Sequence, residues 1–169
     1  DVVTLEWELI SMPVLEKVAA LKPLHPSPSV LALVQDRLTQ RRFLTKNGFP
    51  QTEYGEANAA QDLPSHPVIL KRRTHGYDGK GQARLDPPAS LAKAAEVLKR
   101  PCIWEKIVPF QKEISVILAR TKDGSTSVFP VAENIHRDGI LHATRSPAEF
   151  PAPTARRAAN LALEAAPAQ

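Results

Sequence analysis

Three glycines fall at positions 76, 79 and 81, inside the stretch "LKRRTHGYDGKGQARL" of residues 70–85. A wholly apolar run, Val68-Ile69-Leu70, leads into this segment, and Gln82-Ala83-Arg84-Leu85 leads out of it. Glycine tolerates backbone conformations that side chains exclude, so the spacing predicts a chain reversal between two short strands. The same loop carries four cations, Lys71, Arg72, Arg73 and Lys80. Bare glycine backbone lets amides turn toward an anion, and a lysine leaving a strand end can point its ammonium at the same place. Such a loop suits the phosphates of a nucleotide, with Lys71 contacting them and the other cations adding field. A solvent-exposed hairpin, whose glycines only satisfy turn geometry, is the competing reading.

Spacing excludes the better-known phosphate loops. A Walker loop needs four residues between its glycines and then Gly-Lys-Ser/Thr, but Gly79-Lys80 is followed by Gly81. The dinucleotide pattern Gly-x-Gly-x-x-Gly is absent as well. His136-Arg137-Asp138 has the letters of a kinase catalytic loop, yet Ala143 stands where that loop needs asparagine and no Asp-Phe-Gly follows.

The flanking chain reads as α+β, with antiparallel hairpins beside helices. Asp1 to Glu8 suggests a strand, and "VLEKVAALK" a short helix that ends in the proline-rich "PLHPSPS". Ser27-Pro28 has the form of a helix start, and Val30, Leu31, Val34 and Leu38 predict one helix running on to Leu44, stopped by Gly48 and Pro50. Ser90 can cap a helix with Leu91, Ala94, Ala95 and Leu98 on one face, ended by Pro101 before the strand Cys102-Ile103-Trp104. Ile114, Val116 and Leu118 alternate with their neighbours as one strand. Asp123-Gly124 turns this strand toward Ser127–Val131, and Asp138-Gly139 makes a second turn before Ile140-Leu141. The tail, "PTARRAANLALEAAPAQ", starts a further helix.

Downstream of the loop, Glu105-Lys106-Ile107-Val108 follows a strand and precedes Pro109, an extended hinge that could offer backbone groups to an adenine edge. Glu113, at the start of the next strand, is placed to accept hydrogen bonds from ribose hydroxyls. Taken singly, Glu105 reads equally as a salt-bridge partner and Glu113 as an exposed strand residue.

Composition narrows the classes. Hydrophobic residues make up 43% and charged residues 24% of the chain, ordinary globular values, so disorder is excluded and no apolar run approaches a membrane span. The formal charge of +4 is spread among acids, and aromatics at 5% leave few platforms for stacking single-stranded nucleic acid. No nucleic-acid partner and no membrane are therefore expected. The single cysteine, Cys102, rules out an intramolecular disulfide framework and fits a reducing, cytoplasmic setting.

Four segments, "QDRLTQRRFL", "KRRTHGYDGKGQ", "WEKIVPFQKEISVILAR" and "FPVAENIHRDGIL", stand in an order and spacing that resemble the N5-carboxyaminoimidazole ribonucleotide synthases, ATP-grasp ligases of purine biosynthesis. The resemblance runs from "DVVTLEWE" to "HRDGIL" and thins in the alanine-rich tail. It implies a partial ATP-grasp fold over residues 27–169, with a lid from about 64 to 108. Residues 1–26 would be the last strand and helix of a preceding α/β domain. It implies ATP, bicarbonate and 5-aminoimidazole ribonucleotide as partners, magnesium as a cofactor, and a homodimer.

Residue by residue, the resemblance assigns Lys71 and Arg37 to the nucleotide. It makes Gly76, Tyr77, Asp78, Gly79, Lys80, Gly81 and Gln82 a loop closing over the phosphates. Glu105, Lys106, Ile107 and Val108 go to adenine, Glu113 to ribose and His136 to the nucleotide. Tyr77 and Asp78 are the candidates to meet the second substrate or bicarbonate, which together with Lys71 makes them the catalytic candidates. Glu6 or Glu8 would border the ribonucleotide pocket. No metal ligand is assigned: the family's magnesium glutamate and Asn-Glu pair have no counterpart in "NLALEAAPAQ", and Glu164 matches no metal position. The metal ligands are thus expected outside this chain, and the chain by itself is expected to be inactive. Another ATP-grasp carboxylase, and a basic module binding nucleic acid without catalysis, are the alternatives.

Overall fold

A computed structural model of the chain describes residues 1–76, 80–86, 91–121 and 123–165. Contacts divide it into two units, Asp1–Val108 and Pro109–Gln169. Among the described residues no helix is long and apolar enough to cross a membrane.

The first unit opens with β1 (Val3–Thr4), shorter than the strand expected over residues 1–8, and α1 (Met12–Leu21). β2 (Leu24–His25) then returns parallel to β1. A strand, a helix and a parallel strand form the minimal right-handed crossover unit. Leu15, Leu24 and Leu31 bury their side chains together and draw in Val3, Leu5, Ile10 and Val34.

α2 (Pro28–Gln35) and α3 (Arg37–Lys46) replace the single helix expected over this region. The break is Asp36, held in extended conformation at φ −117°, ψ 112°. Its Oδ1 accepts from the amides of Leu38 and Thr39, at 2.9 and 3.2 Å. An aspartate that bonds the amides ahead of it starts a new helix instead of continuing the old one. Leu38 keeps its buried place, but on the second helix.

A four-stranded sheet follows, in the order β3-β6-β4-β5, all neighbours antiparallel. β3 is Tyr54–Ala57, β4 Val68–Arg72, β5 Gln82–Leu85 and β6 Cys102–Lys106. α4 (Leu91–Val97) packs on one face, where Val68, Leu70, Leu85, Ala94, Val97, Cys102 and Ala57 form the core. Ser90, the expected cap of α4, lies outside the described residues. Tyr54-Gly55-Glu56-Ala57 has little of the composition of a strand, and its glycine has a specific reason. Gly55 lies directly opposite Trp104, and a Cβ at Gly55 would stand 2.7 Å from the indole.

In the second unit β7 (Glu113–Ser115), β10 (Ala132–Arg137) and β11 (Ile140–Arg145) make a three-stranded sheet, ordered β11-β10-β7. β8 (Leu118–Arg120) pairs separately with β9 (Thr126–Val128). The single strand expected through Ile114, Val116 and Leu118 is therefore two strands with different partners. Asp138 and Gly139 join β10 to β11 with φ of 52° and 77°, the backbone of a type I′ hairpin turn. α5 (Ala152–Ala165) closes the described chain.

Candidate functional site

Alternation along β4 decides which side chains face away from the α4 core. Val68 and Leu70 point into that core, so Ile69 and Lys71 lie on the opposite face. Across the ladder Ile69 is paired with Glu105 and Lys71 with Ile103, which puts Lys71 and Glu105 on that same face, diagonal to each other. The ammonium Nζ of Lys71 donates to Glu105 Oε2 at 2.6 Å.

Glu105 has a second cationic partner. Arg41, from α3, donates through Nε and Nη2 to Glu105 Oε1, at 3.0 and 2.8 Å. Its remaining Nη1 donates to Gln51 Oε1. The Glu105 residue is only 7% exposed, whereas the Lys71 side chain keeps 23% of its surface open. Burial pushes the Glu105 carboxyl up. The charge and hydrogen bond of Lys71, and then those of Arg41, outweigh that effect and hold it below the usual glutamate value. The site thus contains a buried carboxylate shared by two cations, one of which still reaches solvent.

The mouth of the glycine loop is held from the start of α3. The amide of Arg37 donates to the Arg73 carbonyl at 3.0 Å, and its Nη2 donates to the Gly76 carbonyl at 3.0 Å. Arg73 is committed to carboxylates: Nη2 meets Asp36 Oδ2 at 2.6 Å and Nη1 meets Glu56 Oε1 at 2.9 Å. It therefore braces the loop instead of adding free positive field, which corrects the expectation drawn from the run of basic letters. Burial pushes the Asp36 carboxyl up, but the Arg73 hydrogen bond and the amides of Thr39 and Leu38 bring it below the usual aspartate value. On the far side, the amide of Arg72 donates to the Gly81 carbonyl at 2.8 Å, Gly81 has φ +74°, and Gln82 pairs with Lys71. Lys80 lies just before Gly81 in the returning limb. Tyr77, Asp78 and Gly79 lie outside the described residues.

At the end of β6 the amide of Lys106 donates to the Glu53 carbonyl at 2.8 Å, and its own carbonyl accepts from Thr52 Oγ1 at 3.0 Å. Lys106 Nζ pairs with Glu53 at 3.2 Å on the surface. Ile107 is half-buried and Val108 exposed. Near the beginning of the unit, Gln35 Nε2 donates to the carbonyls of Glu8 and Ile10. A cavity of about 240 Å³ opens there, lined by Leu9, Ile10, Ser11, Gln35, Thr74 and His75. Glu8 immediately precedes its lining and Glu6 lies two residues further back.

In the second unit, Glu113 on β7 is paired with Asn134 on β10, two residues before His136. His136 Nδ1 lies 3.3 Å from Glu113 Oε1, both side chains partly exposed. The structure thus brings Lys71 to Glu105 and Arg37 to Gly76 within one unit, and Glu113 to His136 within the other. Among the described residues no three His, Cys, Asp or Glu side chains converge as a metal site. Arg41 is the participant that sequence reading missed. The available signal was its place four residues after Arg37, one helical turn on along the same face.

The family model of the ATP-grasp domain matches residues 42–168. The chain is 36% identical over 167 residues to the N5-carboxyaminoimidazole ribonucleotide synthase of Brucella melitensis, covering 94% of this chain and 46% of that protein. Among solved structures, the ADP complex of an N5-carboxyaminoimidazole ribonucleotide synthetase superposes with a TM-score of 0.91 at 38% identity, over 98% of this chain and 46% of that one. The Aspergillus clavatus enzyme, in complex with ADP and 5-aminoimidazole ribonucleotide, gives 0.87 at 30% identity, over 98% and 45%. The chain spans somewhat less than half the length of these relatives.

Proposed function

The chain belongs to the ATP-grasp family, and from that premise we propose that it is the nucleotide-binding portion of an N5-carboxyaminoimidazole ribonucleotide synthase. The reaction has two steps. Bicarbonate oxygen attacks the γ-phosphorus of ATP, giving carboxyphosphate and ADP. The exocyclic amine of 5-aminoimidazole ribonucleotide then attacks the carboxyl carbon, phosphate leaves, and the amine gives up a proton.

The observation that carries this reading is the Lys71 ammonium, oriented by Glu105 at the strand end where the glycine loop begins. Phosphoryl transfer asks a protein mainly for positioning and for charge placed where the phosphoryl oxygens develop theirs. Lys71 supplies the charge, and Gly76 to Gln82 supply backbone donors that close over the phosphates. Closing also keeps a labile acyl phosphate from water. Arg37 acts on the nucleotide through the loop whose Gly76 carbonyl it holds. The segment Glu105, Lys106, Ile107 and Val108 meets adenine, while the Glu105 carboxylate stays engaged by its two cations. Glu113 takes the ribose hydroxyls and His136 the nucleotide. Tyr77 and Asp78 face bicarbonate or the amine. Glu6 or Glu8 borders the ribonucleotide, next to the cavity lined by Ser11, Gln35, Thr74 and His75.

Magnesium, when bound, would offset the phosphate charge in this chemistry, and among the described residues no cluster of His, Cys, Asp and Glu side chains fits it. A cytoplasmic enzyme that assembles as a homodimer completes the reading. Calorimetric titration tests it: ATP and ADP should bind saturably, and GTP and CTP much more weakly. Absence of any adenine-nucleotide affinity, or equal affinity for all four, overturns it.

A further inference from the structure

α3 places two guanidinium groups four residues apart along one helix, and each reaches a different part of the phosphate-binding apparatus. Arg37 holds the Gly76 carbonyl at 3.0 Å. Arg41 forks onto Glu105 Oε1 at 3.0 and 2.8 Å, while Lys71 takes the other oxygen, Oε2, at 2.6 Å. The two cations divide the carboxylate between them. Arg41 is itself anchored, because Gln51 accepts from its third nitrogen. This leaves the guanidinium little freedom to leave Glu105.

We infer that Arg41 is a positioning residue for polyphosphate binding, acting on Lys71 through Glu105. The inference rests on the reading that Lys71 faces the phosphates of ATP. A buried carboxylate paired with Lys71 alone would form a neutral pair and would compete with phosphate for the ammonium. Arg41 brings the formal charge of the three groups to +1 and draws Oε1 to itself. Lys71 is then aimed by a single oxygen and keeps its attraction for an anion. Both Arg41 nitrogens converge on the one oxygen, Oε1, which holds that end of the carboxylate and leaves Oε2 to Lys71.

The test compares ATP with AMP, because Lys71 acts on the polyphosphate while AMP engages chiefly the adenine and ribose contacts. Both affinities are measured by titration calorimetry on the wild type, Arg41→Gln and Arg41→Lys, with melting temperatures recorded alongside. Arg41→Gln should weaken ATP about tenfold, the worth of one charge-assisted hydrogen bond, and change AMP much less. Arg41→Lys should recover part of the loss, since an ammonium restores the charge but not the fork. A purely structural role would lower the melting temperature and weaken both nucleotides alike, leaving the ratio of the two affinities unchanged. That unchanged ratio overturns the inference. If Arg41→Gln does not fold, the same ratio is read on Arg41→Lys, where a fall supports the inference and an unchanged ratio overturns it. A wild type that binds neither nucleotide removes the functional reading itself, and this inference with it.

Discussion

Lys71 and Glu105 are not direct partners in the ladder between β4 and β6, yet their ammonium and carboxylate meet at 2.6 Å across the diagonal. Glu105 is buried, and Lys71 and Arg41 keep only about a quarter of their side-chain surface, 23% and 26%. Losing the charge of a buried ion pair leaves its partners uncompensated, at a cost of about 3–5 kcal/mol when all are fully buried. Partial exposure of the two cations puts Glu105→Gln near the lower end, about 3 kcal/mol.

The pH dependence follows from the direction of the Glu105 shift. The folded-state value lies below the ordinary glutamate value of 4.5, so the folded protein binds this proton less readily than the unfolded chain. The stabilisation is fully present above that ordinary value and is lost as pH falls through the depressed folded value. Urea unfolding of wild type and Glu105→Gln should therefore differ most at neutral pH and converge under acid conditions. A gap between them that stays constant from neutral to acid pH would show that the charge of Glu105 does not stabilise the fold.

Gly55→Ala should destabilise the sheet through contact alone. An alanine Cβ would stand 2.7 Å from three atoms of the Trp104 indole, and the indole is braced by the core that includes Leu70 and Cys102. Overpacking of this kind costs about 1–3 kcal/mol. Chemical denaturation measures it, and the emission of Trp104 should shift as the ring is displaced. An unchanged midpoint would mean that β3 and β6 separate without penalty.

Much of this arrangement was legible in the sequence where one local rule decided it. Val68-Ile69-Leu70 could only be an inner strand, and alternation then fixed the side on which Lys71 stands. Asp138-Gly139 specified its hairpin turn for the same local reason. What stayed hidden depends on distant partners. Asp36 fits the polar side of a continuous helix until its carboxylate is seen bonding two amides ahead and Arg73 from the other side. The alternation through Ile114, Val116 and Leu118 gives the faces of β7 and β8 but not that the two strands pair with different neighbours. Arg41 meets Glu105 across 64 residues of chain, a separation no local pattern encodes.

Asp36 combines a helix cap with an ion pair, and two substitutions separate them. Asp36→Asn keeps an oxygen for the amides of Leu38 and Thr39 but gives up the charge that meets Arg73. Asp36→Ala gives up both. The cap contributes about 1 kcal/mol and a charge-assisted hydrogen bond about 1.5–3 kcal/mol, so Asp36→Ala should be the more destabilising by roughly the value of the cap. Equal melting temperatures for the two variants would show that α3 does not depend on this cap.

The Lys71 assignment can be set against a lysine that the fold uses differently. Lys99 follows α4 and pairs with Glu96 at 2.6 Å, three residues back, with both side chains about two-thirds exposed at 67% and 70%. A surface pair of that kind contributes little to stability, and Lys99 stands in the turn after α4, outside the glycine loop. Lys71 stands at the base of the glycine loop, with its direction set by a buried carboxylate. A charge-assisted hydrogen bond to phosphate contributes about 1.5–3 kcal/mol, so Lys71→Ala should weaken ATP binding about ten- to a hundredfold, and Lys99→Ala should leave it unchanged. Both variants should be titrated at one salt concentration, because screening affects exposed charges more than buried ones. Equal ATP affinity for the two variants, in a protein that binds ATP, would remove Lys71 from the phosphates. The Lys71–Glu105–Arg41 group would then be a structural ion cluster on the face of the sheet opposite α4.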